Sequence, residues 1–140
     1  MADKKVAENI AIIGSGPHSR LLAPFGAENW ECWGCSNGNE DIMDKCDLWI
    51  EIHHLMRKAA EEPSYFKKML RHPRLYLQKK DPQIPGSIAY PREVLEERYG
   101  SDMLSSSGAF LLALAMHRDE FMDPAPFISA WRSKAITAAA

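Results

Sequence analysis

The sequence predicts a three-layer α/β domain with a mostly parallel sheet. Its strand-length apolar runs do not alternate with polar residues, which is the pattern of strands covered on both faces. Helical stretches separate the later runs, as in a chain that alternates strand and helix. Near residue 110 one helix is apolar all round, so it belongs inside the fold rather than on its surface.

The first strand spans 9–14 and holds Ile10, Ala11, Ile12 and Ile13. After a loop, residues 21–25 are limited by Pro24 and Gly26. Trp30–Cys35 (WECWGC) is the second strand and runs into a polar turn, Ser36-Asn37-Gly38-Asn39. Residues 48–53 (LWIEIH) form the third. A helix over 64–71 follows Pro63 and is closed by Pro73. The fourth strand covers 74–78, and the prolines at 82 and 85 make 79–86 irregular. A short charged helix at 92–99 stops at Gly100. The apolar helix occupies 106–117 behind Ser105, Ser106, Ser107 and Gly108. The last stretch, FMDPAPFISAWRSKAITAAA, has no strong β-run and is read as a helix over 126–138. The chain thus divides into a domain at 1–120 and a divergent tail at 121–140.

With 140 residues the chain has length for one domain and one core. A formal charge of −2 gives no electrostatic reason to expect a nucleic-acid partner. No apolar run reaches the roughly 20 residues that cross a bilayer. The first residues lack the apolar segment of a secretory signal. Three cysteines, an odd number, fit free thiols in a reducing compartment. The expected location is the cytoplasm.

Four places can carry chemistry. Residues 10–20, IAIIGSGPHSR, join a strand to a glycine loop, an arrangement that presents backbone N–H groups to phosphate. There Gly14, Ser15, Gly16 and Ser19 would offer donors and close approach, Arg20 charge, and His18 either a phosphate contact or a cover. The alternative is a tight turn that uses Gly-x-Gly for shape alone. The serines at 105–107 with Gly108 head a helix, whose unpaired N–H groups and positive dipole end suit an anion. The alternative is a serine N-cap. Asn37 stands where dinucleotide sites carry an acidic residue for ribose, so an amide there speaks against NAD but can read a base or sugar. An ordinary Asn-Gly turn is the alternative. Glu51 and His53 end the third strand at the ligand-binding carboxyl edge of the sheet, on one face by period-2 alternation, with His54 on the other. Either is a candidate general base; a structural strand-end histidine is the alternative. Cys32 and Cys35 have zinc-ligand spacing, but they sit in an apolar aromatic strand and read better as buried small hydrophobes, so no metal site is expected.

These segments together resemble a known group. IIGSGPHSR is similar to the Gly-x-Gly-Pro-Ser loop of bacterial sialyltransferases that use CMP-sialic acid, and SSSGAFLLALA to their Ser-Gly helix start. A closer resemblance, over residues 9–118, is to uncharacterised Rossmann-like proteins common in bacteriophage genomes. It rests on WECWGC, LWIEIH, IPGSIAYP and SSSGAFLLALA in that order. The resemblance implies a Rossmann-like domain with a nucleotide or nucleotide-sugar pocket made by Gly14, Ser15, Gly16, Asn37, Ser106, Ser107 and Gly108. For a phage-encoded chain the location would be the host cytoplasm. Both groups continue into a strand ending in Gly-x-Asp, and the sialyltransferase base lies beyond it. This chain has a different tail there, so its C-terminal part reads as truncated or divergent. The expected function is therefore capture of a nucleotide-type small molecule, without established catalysis or a certain cofactor. The alternatives are a glycosyltransferase-like enzyme and a non-catalytic interaction module. An open sheet edge would make a homo-oligomer the natural assembly.

Overall fold

The computed structural model describes residues 7–119. The expected tail helix at 126–138, and with it the whole 121–140 segment, lies outside them. Five strands form one sheet: β1 (Asn9–Ile13), β2 (Trp30–Cys35), β3 (Leu48–Glu51), β4 (Leu75–Leu77) and β5 (Ser87–Ala89). They lie in sequence order, and every neighbouring pair is parallel. The sheet is thus wholly parallel rather than mostly so.

This order explains the layers. Consecutive parallel strands joined by crossovers of one hand must send every connection over the same face. The connections pack accordingly. Ile42 and Met43 between β2 and β3, Tyr65 and Met69 between β3 and β4, and Ile84 before β5 share one core with Ala11, Ile13, Trp49 and Leu75. After β5 the chain changes face. α3 (Arg92–Tyr99) and α4 (Ser107–Asp119) cover Ile10, Trp33, Leu48 and Ile50 on the other side, through Leu95, Phe110, Leu111 and Leu114. α4 lies back across β1, β2 and β3. The result is a three-layer Rossmann-like α/β domain with β3 central and fully buried.

Two connections differ from expectation. The polar turn after β2 does not end at Asn39; a 3-10 segment runs over Asn37–Lys45 and buries Asn39, Ile42 and Met43. The spacing of its two apolar residues was too short to register as a helical stripe. A helix also follows β3 directly: α1 (Leu55–Glu61) precedes α2 (Pro63–Arg71), with Glu62 as the break between them. α1 buries no residue, so it leaves no apolar periodicity to read. The strands β1 and β3 are shorter than the apolar runs that marked them. Among the described residues no helix is long and apolar enough to cross a membrane. The outer edge of β1 has no strand beside it among those residues.

Candidate functional site

In a parallel sheet every strand delivers its following loop to the same edge, and that edge is where open α/β sheets bind ligands. Gly14–Gly16, the 36–39 turn, the Glu51–His53 exit and the loop from Gln78 therefore emerge side by side from β1, β2, β3 and β4.

The first two meet. Asn39, fully buried, donates from Nδ2 to Gly14 O at 3.2 Å and to Cys35 O at 3.0 Å. It ties the end of β1 to the end of β2. A Cβ on Gly38 would lie 3.9 Å from Ser15 Cβ, so the two loops touch at their tips as well. Ser36 holds φ +78°, a left-handed conformation unusual for a residue with a side chain; such backbone costs on the order of 1–3 kcal/mol and is sustained by its surroundings. Asn39 is the residue that sequence reasoning passed over. Its only signal was a second asparagine just past an Asn-Gly pair.

The glycine loop itself is not followed by a full helix. A four-residue 3-10 turn, Ser19–Leu22, takes that place, so no aligned macrodipole points at the loop. Ser19 folds back over Gly16, where a Cβ would come 2.6 Å from its Oγ. Arg20 pairs with Asp41 at 2.6 Å, which holds the Asp41 carboxyl below its ordinary range; its charge is shared, not free for a phosphate. Asn37 is exposed and donates from its side-chain amide to Glu62 at the α1–α2 junction. Glu62 also accepts from Lys58 at 2.7 Å.

The serine-headed helix carries its own cap. Ser106 Oγ accepts from the Ala109 N–H at 3.2 Å and is a plain N-cap of α4. Ser107 and Gly108 are half-buried in its first turn. This end of α4 is fastened to the end of β5, where Tyr90 OH donates to Phe110 O at 2.7 Å. Among the described residues no hydrogen bond joins Ser106, Ser107 or Gly108 to the glycine loop or to Asn37.

Glu51 and His53 do come together. Glu51 is 3 % exposed, and its Oε1 accepts the His53 backbone N–H at 2.9 Å and lies 2.6 Å from His53 Nδ1. Its Oε2 accepts from Tyr65 OH at 2.9 Å, and that hydroxyl accepts from Trp49 Nε1 at 2.9 Å. Burial, reinforced by the Glu51 carboxylate, pushes the Tyr65 phenol far up, so Tyr65 stays a donor. Burying a lone carboxylate costs several kcal/mol, and this chain of donors offsets that cost. His53 remains largely exposed at the rim of a cavity of about 650 Å³ lying across the exits of β3 and β4. Lys79 and Lys80 line the same cavity, with Leu55 and Met56 as apolar wall. Gln78 braces it, donating to Ile52 O at 2.7 Å.

The cysteines take no part. Cys32, Cys35 and Cys46 are buried free thiols, and burial pushes them up to about 12, 11 and 12. Among the described residues no group of three or more His, Cys, Asp or Glu side chains is placed to hold a metal ion. No family model, no curated protein and no solved structure matches this chain.

Proposed function

We propose that this protein binds a nucleotide-type small molecule at the carboxyl edge of its sheet, with the glycine loop Gly14, Ser15, Gly16 and Ser19 against the turn that carries Asn37. The observation that carries this reading is the bracing of the two loops by Asn39, which joins Gly14 O and Cys35 O and keeps both tips adjacent. Exposed backbone held in this way is pre-organised, and a ligand meets it without a large ordering cost. The likeness of the sequence motifs to phage Rossmann-like proteins, and more distantly to sialyltransferases, supports a nucleotide or nucleotide-sugar class. Ser106, Ser107 and Gly108 would complete the pocket from the start of α4.

A thermal-shift series with CMP, CMP-sugars, UDP-sugars, NAD and cyclic nucleotides tests the reading. A ligand at 100 times its Kd adds about 2.7 kcal/mol of stability and raises Tm. No shift with any of them at millimolar concentration overturns the proposal. If one binds, Gly14→Val and Ser107→Ala are expected to weaken it while the protein stays folded. Normal binding by both would remove the pocket as drawn.

A further inference from the structure

The cavity across β3 and β4 holds a group that ligand capture at the glycine loop does not use. His53 Nδ1 is taken up by Glu51 at 2.6 Å, which leaves Nε2 as the nitrogen free to act. A buried carboxylate bonded to Nδ1 selects the tautomer with the proton on that atom and so keeps a lone pair on Nε2. Glu51 is itself fixed by Tyr65 and Trp49, and the His53 backbone N–H is held by the same carboxylate. Position and tautomer are therefore both set from inside the core. Beside this base, the exposed Lys79 and Lys80 line the cavity together with Asp81, and neither lysine has an ion-pair partner among the described residues. A tautomer-fixed imidazole next to unneutralised cations suits attack on an anionic ester.

From this we infer that the protein hydrolyses a phosphate ester in this cavity, with His53 as general base and Glu51 as the residue that positions it. Water gives a proton to His53 Nε2 as its oxygen forms a new bond to phosphorus. The bond from phosphorus to the ester oxygen breaks, and the electron pair leaves with that oxygen. The imidazolium then returns its proton to the departing oxygen, so ester and water become alcohol and phosphate and His53 ends neutral. Glu51 compensates the transient positive charge, and Lys79 and Lys80 hold the phosphoryl oxygens. The inference goes beyond nucleotide capture, because it concerns a different pair of strand exits and is read by turnover rather than by binding.

The test uses the full chain with p-nitrophenyl phosphate and bis(p-nitrophenyl) phosphate, and p-nitrophenyl acetate as a neutral ester. Release of p-nitrophenolate from at least one phosphate ester is expected. His53→Ala should lower kcat by about 100-fold or more, the usual share of a general base, and still fold, because the side chain is largely exposed and the His53 backbone N–H still bonds Glu51. Lys79→Ala and Lys80→Ala should each raise KM for the phosphate ester. Glu51→Gln should lower kcat with KM unchanged and replace the single His53 tautomer, seen by nitrogen NMR, with a mixture. If Glu51→Gln does not fold, Tyr65→Phe takes its place in the tautomer measurement. The inference is overturned if neither phosphate ester turns over above the His53→Ala level, if that variant keeps wild-type kcat, or if the lysine variants leave KM unchanged. A nucleotide thermal shift without turnover would leave the capture reading standing and remove this one.

Discussion

Asn39 donates to the carbonyl oxygen of Gly14 across 3.2 Å, and by that bond the end of β1 is held to a residue 25 positions later. The same amide reaches Cys35 O at 3.0 Å, while its own Oδ1 is buried with no partner among the described residues. Asn39→Ala would leave two strand-end carbonyls short of their donor. An unsatisfied buried group costs about 1–3 kcal/mol, so the variant is expected to lose roughly that much or more by urea denaturation. Its nucleotide affinity should fall further than its stability, because the loop tips are released.

Two glycines should separate fold from site. A Cβ at Gly34 would lie 2.6 Å from Trp49 Cζ3 and 2.9 Å from Cys46 Sγ, in a core where Trp49 is fully buried. Gly34→Ala is expected to destabilise by about 1–3 kcal/mol, the range for overpacking. A Cβ at Gly14 meets nothing within 4 Å, so Gly14→Ala should stay within about 0.5 kcal/mol of wild type. Denaturation curves of the two variants, run together, check both statements.

His72 makes stability depend on pH. It is buried, with Nε2 donating to Cys46 O at 2.8 Å and Nδ1 accepting from the Arg74 N–H at 3.1 Å. Burial pushes its pKa below the ordinary 6.5, so the folded protein keeps it neutral. Between that lowered value and about 6.5 the unfolded chain binds the extra proton. Stability therefore falls as pH drops through this window, by at most about 1.4 kcal/mol per pH unit for one group. The difference in unfolding free energy between wild type and His72→Gln, followed from pH 7.5 down to 5.5, should shrink accordingly.

The thiols should be silent in the native protein. Cys32, Cys35 and Cys46 are buried, with burial raising all three to about 11 or 12. Reaction needs the thiolate and access to it. With Ellman's reagent at pH 8 the folded protein should react slowly, at a rate set by opening, whereas all three thiols react at once in guanidinium. Rapid native labelling of any one would show that its segment is not packed as described.

Tyr65→Phe tests the support beneath His53. The hydroxyl donates to Glu51 and accepts from Trp49 Nε1, each at 2.9 Å, in a site where Tyr65 is 2 % exposed. Its loss leaves a buried carboxylate oxygen and an indole N–H unpaired, with an expected cost of about 1–3 kcal/mol. A thermal melt should show this as a lower Tm.

The layers and four of the five strands are legible in the residues alone; β5, three residues just after a proline-broken stretch, is not. Runs such as NIAII, WECWGC and LWIE are apolar without alternation, and only a sheet covered on both faces buries all of β3 and all of β2 but Trp30 in this way. The sequence also determined which residues leave those strands at the carboxyl edge, because parallel strands all point their exits the same way. Glu51 and His53 could be placed on one face by period alone. Who meets whom across that edge is set by packing between distant segments. The glycine loop found the 36–39 turn through Asn39, an internal amide with no pattern to announce it. The start of α4 is fastened to the end of β5 through Tyr90 and Phe110. Arg20, a candidate charge for an anion, is paired with Asp41, and Glu51 at its strand end is buried and bonded to Tyr65. Periodicity records which side of an element faces the core; it carries no record of partners brought together from distant positions, and those partners are what make or unmake a site.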